Sequence, residues 1–333
     1  MNEVTKTVFG DKLFSDPVAL ISCLSFEERS LAVAKSLINI GLTRWLCIIN
    51  EDIETDISSI HREALRIAER AGVTIEFLKA SKRNPLLLAD AMIQLAGNAQ
   101  LTESEQWVAD ITTMTHEMLL IILAAADEIV TQWKDLSLVY NVAAQYSGDD
   151  EPGKKWISQG IHDVRTVIGY PGNWSPGKHT VLVALPGFDS ERMQRMVEEI
   201  EPEQLIVGIA CPVGDHHAWS ATKNREIARQ LLMTRKGSTF DYPALEPFGM
   251  IDALIRVLRD IKCNVLLAPL NSKISTAALG VLARNRPEWQ ICYAPAFIYN
   301  LNYATPSNTF LTCSLKALTD YARSALAMSD SKG

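Results

Sequence analysis

The chain has 333 residues, 47% hydrophobic and 21% charged, ordinary globular values that exclude a largely disordered polypeptide. That length exceeds what one hydrophobic core usually sustains and points to two domains of about 150 residues each. Its 32 Lys and Arg against 39 Asp and Glu leave a net charge of −7, which excludes a general nucleic-acid coat protein but leaves room for a local basic pocket.

From Val18 onward, short apolar runs alternate with helix-length amphipathic segments. VALISCL (18–24), RWLCIIN (44–50), VTIEFLKA (73–80), WVADI (107–111) and LSLVY (136–140) read as strands, with helical segments between them. This order favours a parallel sheet covered on both faces, because parallel neighbours need a crossover connection and the helices supply it. Strands covered on both faces need not alternate in polarity, which agrees with their apolar character. Residues 147–178 then break the pattern with Gly, Pro and charge, and read as a connector carrying a hairpin around DVRTVIGY. The order restarts with HTVLVAL (179–185), QLIVGIAC (204–211), a weak strand near Ser238–Tyr242, NVLLAPL (264–270) and WQICYAP (289–295). The predicted fold class is therefore α/β: two Rossmann-like (βα)4β units with parallel five-stranded sheets, at 1–146 and 179–333, related by internal duplication.

Three local matches support the duplication. Ser25-Phe26-Glu27-Glu28-Arg29 follows the first strand of one half and Gly187-Phe188-Asp189-Ser190-Glu191-Arg192 that of the other. Thr115-His116 and Ser272-Lys273 open the helix after each fourth strand, and Tyr140 with Tyr146 matches Tyr293 with Tyr299 after each fifth. The intervals from Phe26 to His116 and from Phe188 to Lys273 are 90 and 85 residues, so the matches keep their order and spacing.

Cys23, Cys47, Cys211, Cys263, Cys292 and Cys313 form no CxxC pair, and several lie in apolar runs, which reads as buried reduced thiols. The N-terminal MNEVTKTVFGDK is polar, and the longest apolar run, MLLIILAAA from Met118, stops at Asp127 and Glu128. A membrane span needs about 20 apolar residues, so a soluble, cytoplasmic protein is expected.

In an open parallel sheet, ligands bind beyond the carboxyl ends of the strands, beside helix N-termini whose free N–H groups favour anions. All three repeated motifs fall at that edge. Beside the Asp110 carboxylate, Thr112 and Thr115 offer hydroxyls and His116 a ring nitrogen there, although a hydroxyl cap with a surface histidine is the plainer reading. Asn271, Ser272 and Lys273 put an amide, a hydroxyl and a cation at the matching edge. Ser25 lies nearest a bound group, Arg29 opens the first helix beside Glu27 and Glu28, and Lys79 rims the edge with Lys82 and Arg83, a run that equally fits a solvated surface. Tyr299 and Asn300 suit contacts to a base, or core packing. Asp215-His216-His217 has a metal-ligand look, but the Asp-rich motifs that would accompany it are missing. GxGxxG, Walker A, HExxH and GxSxG patterns are absent, which disfavours classical dinucleotide dehydrogenases, P-loop enzymes, zincins and α/β-hydrolases. No cofactor and no metal are expected.

The segment Asp110-Ile111-Thr112-Thr113-Met114-Thr115-His116, followed by an Ala-rich helix and a strand ending in Tyr140, resembles the signature of CRISPR-associated Rossmann fold (CARF) sensor domains. In that family an Asp-x-Thr-x-Gly-Thr-Lys segment closes the fourth strand and contacts the phosphates of a cyclic oligoadenylate. Asp110, Thr112 and Thr115 match it, while Met114 stands for the glycine and His116 for the lysine. The resemblance implies a tandem sensor or adaptor in a prokaryotic antiviral or stress system. It would bind a nucleotide-derived or phosphorylated small molecule and signal to a protein partner that carries the effector activity, with homodimerisation compatible. Two other readings stay open: a metal-independent phosphodiesterase using His116 or His216 as acid or base, and a structural subunit of a defence complex.

Overall fold

The computed structural model describes residues 5–8, 14, 17–52, 56–97, 106–129, 136–146, 158–211, 218–301 and 304–331. In chain order the elements begin with β1 (Thr5–Val8), β2 (Val18–Leu24), α1 (Ala32–Leu37), β3 (Leu42–Asn50), α2 (Ser58–Ala71), β4 (Ile75–Ala80), α3 (Leu86–Gly97), β5 (Gln106–Asp110), α4 (His116–Ile129) and β6 (Leu136–Tyr146). Next come β7 (Ser158–Ile161), β8 (Arg165–Pro171), β9 (Thr180–Leu185), α5 (Ser190–Ile200), β10 (Gln204–Cys211), α6 (Ala218–Leu232), β11 (Gly237–Pro243), α7 (Pro247–Leu258) and β12 (Asn264–Pro269). The chain closes with α8 (Lys273–Arg284), β13 (Gln290–Tyr293), β14 (Ala296–Tyr299), β15 (Ala304–Ser314) and α9 (Leu315–Asp330). They gather into two units: Glu3–Asp149 with Leu301–Ala317, and Asp150–Asn300 with Leu318–Gly333.

In the first unit β6, β5, β2, β3 and β4 lie side by side and parallel. Numbered along the unit, this is the order 3-2-1-4-5 of a Rossmann-like sheet. β15 adds antiparallel to β6, and β1 to β15, making seven strands. Every residue of the central β2 is buried, because strands flank it on both sides and helices cover both faces, whereas the edge strand β4 exposes Glu76, Phe77 and Lys79. Leu20, Trp45, Ile67, Val108 and Phe310 share one core cluster. The Trp45 indole N–H, which burial would otherwise strand, donates to Ser22 Oγ at 2.8 Å.

The second unit repeats the order: β11, β10, β9, β12 and β13 are parallel, and β8 adds antiparallel to β13. β9 and β12 are buried throughout. The molecule is thus an α/β protein of duplicated Rossmann-like architecture, and each parallel five-stranded core carries an added antiparallel strand. Three parts differ from the sequence reading. β7 and β8, where a connector with a hairpin was expected, pair not with each other but with β14 and β13. β15 and α9 lie beyond 289–295, the last strand read from the sequence. Leu301–Ala317, expected within the second domain, belongs to the first unit.

Candidate functional site

In the 3-2-1-4-5 order the chain leaves the first strand in one direction and the fourth in the other, so the turns after these two strands open a crevice. In the first unit these turns follow β2 and β5. Arg29, 2% exposed, lies in a 3₁₀ turn (Glu28–Leu31) just after β2. Its Nε and Nη2 donate to Glu27 Oε2 at 2.9 and 2.6 Å, and its Nη1 donates to the Asn141 carbonyl of β6 at 3.2 Å. Burying two charges carries a large desolvation penalty that their pairing offsets, and removing one partner of such a pair costs about 3–5 kcal/mol. At the end of β5, Asp110 Oδ1 accepts from the Thr112 N–H at 3.0 Å, and Thr112 Oγ1 accepts from the Asn141 N–H at 2.9 Å. Thr113 Oγ1 donates to the Cys23 carbonyl at 2.7 Å, closing the β5 turn against β2.

Asp110 is 1% exposed. Burial pushes its carboxyl up to about 7, while the Thr112 hydrogen bonds and the Arg29 charge pull the other way. Thr115 Oγ1 accepts from the Met118 N–H at 3.1 Å and so caps α4, and His116 is the first helical residue, buried. Ser25, also buried, follows β2 directly. Ser25, Arg29, Asp110, Thr112, Thr115 and His116 therefore gather at one edge of the first sheet. Lys79 lies one residue before the end of β4, two strands away from β2, where its Nζ meets Glu51 Oε1 at 2.7 Å. Arg83 of the same run lies 4.0 Å from Asp52, whose carboxylate Ser81 and the Arg83 N–H hold below its usual range against the effect of burial.

The second unit builds a matching edge. Asp189 caps α5 by accepting from the Arg192 N–H at 3.1 Å. Arg192, 5% exposed, donates from Nε to the Ala294 carbonyl at 2.6 Å and from Nη1 to Ser158 Oγ at 3.1 Å. Ser158 in turn donates to Asp189 Oδ2 at 2.7 Å. The guanidinium sits over the Tyr293 ring, 5.2 Å from its centre, and Nη2 meets no hydrogen-bond partner among the described residues. Burial disfavours its charge, but Tyr293, Tyr299 and Asp189 outweigh that and raise its pKa. Arg29 and Arg192 hold equivalent places, each reaching from soon after the first strand to a carbonyl of the fifth-strand segment, Asn141 within β6 and Ala294 just past β13. Tyr146 stands near Arg29 as Tyr299 does near Arg192, and burial with the neighbouring Tyr140 pushes its phenol well above its usual value.

At the second crevice, Asn271 Nδ2 donates to the Pro186 carbonyl at 2.8 Å, and its Oδ1 accepts from the Ser272 N–H at 2.9 Å. Ser272 Oγ accepts from the Ser275 N–H at 3.0 Å, capping α8, whose first residue is Lys273. Fully buried Asn224 donates to the Gly187 carbonyl at 2.9 Å and accepts from the Ala210 N–H at 3.2 Å. Gly187 itself is required: a Cβ there would meet the Leu270 carbonyl oxygen. Phe188 and Trp219 stack with ring centres 4.6 Å apart beside these amides. Tyr299 ends β14 and Asn300 follows it, half-buried.

Asn141, Ser158, Asn224 and Arg192 are site residues that sequence reasoning missed. Arg192 lay within a repeated motif, and Asn141 directly follows a repeated tyrosine; Ser158 and Asn224 carried no signal. His216 lies outside the described residues. Among the described residues no three His, Cys, Asp or Glu side chains come together as a metal group, and no helix is long and apolar enough to cross a membrane. None of the six cysteines forms a disulfide; Cys211 and Cys263 are only partly buried, and burial pushes the Cys47 and Cys292 thiols up to about 12.

No protein-family model matches the sequence, and no curated protein matches it. Among solved structures the chain is similar to a short-chain dehydrogenase from Sphingobium yanoikuyae in complex with NADPH, at 11% identity and a TM-score of 0.26, over 84% of this chain and 89% of that one. It is also similar to a glycosyltransferase from Rickettsia africae ESF-5, at 8% identity and a TM-score of 0.20, over 95% and 94% of the two chains. Likenesses this slight carry no argument about activity, and the architecture rests on the strand order itself.

Proposed function

We propose that the protein binds a nucleotide-derived or phosphorylated small molecule at the carboxyl ends of its parallel strands. In this reading it acts as a CARF-like tandem sensor or adaptor in a prokaryotic antiviral or stress system and hands its ligand state to a protein partner that carries the effector activity. One observation carries the reading. The same crevice is built twice, each time beside a hydroxyl-capped helix that opens with a nitrogen-bearing side chain, His116 on α4 and Lys273 on α8. Such helix ends offer free N–H groups and a positive dipole to an anion. Ser25, Thr112, Thr115 and His116 would hold an anion in the first unit, and Lys273 one in the second, with Tyr299 and Asn300 at the base there.

Calorimetric titration against a panel of cyclic and linear nucleotides tests this reading. Binding by at least one nucleotide is expected, weakened about tenfold or more in Lys273→Ala, since a charge-assisted contact contributes about 1.5–3 kcal/mol. A panel that yields no binding, or a variant that binds like the wild type, sinks the assignment. Chromatography of the nucleotide after incubation separates a sensor, which returns it intact, from a phosphodiesterase.

A further inference from the structure

Chain order and sheet order disagree in one systematic way. The first unit's fifth strand, β6, is flanked by β15, which follows the second unit's fifth strand in the chain. The second unit's fifth strand, β13 with β14 beyond it, is flanked by β8 and β7, which follow the first unit's fifth strand. Each antiparallel strand comes next in the chain after one unit's fifth strand and pairs with the fifth strand of the other. We infer that the two units exchange their sixth strands reciprocally along the chain, and that this exchange couples their folding.

The exchanged strands are fastened at the crevices themselves. In the first unit Arg29 holds the Asn141 carbonyl, and the Asn141 amide donates to the Ser307 and Thr309 carbonyls of β15 at 2.8 and 3.2 Å. Ser307 Oγ donates back to the Val142 carbonyl at 2.6 Å. In the second unit Arg192 and Asp189 both grip Ser158, the first residue of β7. The buried arginine of each crevice is thus linked to the strand that comes from the other half of the chain, Arg29 through Asn141 and Arg192 directly at Ser158.

The coupling has a physical origin in loop closure. Pairing Ala304 with Tyr146 closes a loop of 157 residues when the second unit is unfolded. When that unit is folded, Ser158 already lies opposite Tyr299, so 11 residues on one side and 4 on the other remain to be closed. Closure becomes less favourable as the three-halves power of loop length, so the folded second unit makes completion of the first about 30-fold more favourable. No ligand takes part in this coupling, which is independent of the binding proposed above.

Hydrogen exchange of the full-length protein in urea tests it, with Thr180–Leu185 reporting the second unit and Val18–Leu24 the first. Leu267→Ala removes a fully buried side chain from β12 and moves opening of the second unit to lower urea. Where Ala leaves that unit closed, Leu267→Asp places a carboxylate at the same buried position and opens it. In urea that has opened the second unit of the variant, protection of Val18–Leu24 is expected about 30-fold below the wild type; loss of both sets together is the same result at stronger coupling. Equal protection in the two proteins overturns the proposal. Leu138→Cys, opposite the native Cys313 across β6 and β15, isolates the route. Once oxidised glutathione has joined the pair as a disulfide, the loop stays closed in both states, so the loss is expected to vanish and to return on reduction. A loss that survives the disulfide also overturns the proposal.

Discussion

Arg29 and Arg192 occupy equivalent positions but are held differently, and side-chain length is the reason. Glu27 reaches the Arg29 guanidinium with one carboxylate oxygen that accepts from two of its nitrogens. Asp189 is one methylene shorter and already caps α5, so Ser158 stands between it and Arg192, whose Nη2 meets no partner among the described residues. The repeated Phe-acid-Arg pattern shows that the arginines correspond, but not how each is held. Asp110 beside Arg29 carries a pH signature. Its folded carboxyl titrates at about 7 against about 3.9 in an unfolded chain, so between these values the folded state holds the extra proton. Stability therefore falls as pH rises from about 4 to about 7 and levels off above, by on the order of 4 kcal/mol. Asp110→Asn keeps the acceptor for the Thr112 N–H and removes the titration. Urea midpoints at pH 5 and pH 8 are expected to fall further in the wild type than in the variant, and equal falls would contradict the assignment.

Strand interiors were legible because a strand covered on both faces is apolar throughout, as β2, β9 and β12 are. β15 was not, since only its second half packs inward and Pro306 and Ser307 interrupt any alternation. Likewise, the sequence places β7 and β8 next to each other, but their partners are set by where the fifth strand of the second unit runs. The turns between elements depend on close backbone approach. Gly187 passes so near Leu270 that a methyl group has no room, whereas Gly177 faces open space. Gly187→Ala is expected to destabilise the protein by about 3 kcal/mol through forced backbone movement. Gly177→Ala should be neutral or stabilising by about 0.5 kcal/mol through the unfolded chain. Thermal unfolding of both variants decides this, and similar melting temperatures would refute the close approach.

The two halves were expected to be consecutive in sequence, and the molecule instead returns Leu301–Ala317 to the first unit and sends Leu318 onward to the second. A fragment of residues 1–149 therefore lacks β15 and leaves the outer edge of β6 unpaired, with Val139 and Tyr140 beside it. Exposed edges of that kind template aggregation. Such a fragment is expected to be insoluble on expression, and fusing residues 301–317 to it through a Gly-Ser linker should restore soluble, folded protein, as read by yield and circular dichroism. A soluble, folded 1–149 fragment would show that β15 is dispensable.

The alternation of apolar runs and amphipathic helices is a local property of the chain, and it was enough to establish two α/β units and their duplication, and to point to the strand-end edge of each. Periodicity records which faces are buried, so it survives in one dimension. Which strands pair across 157 intervening residues, and which carbonyl each buried arginine reaches, depend on partners distant in sequence. Those partners are chosen by closure, side-chain reach and competition for the same hydrogen bonds, none of which leaves a local pattern.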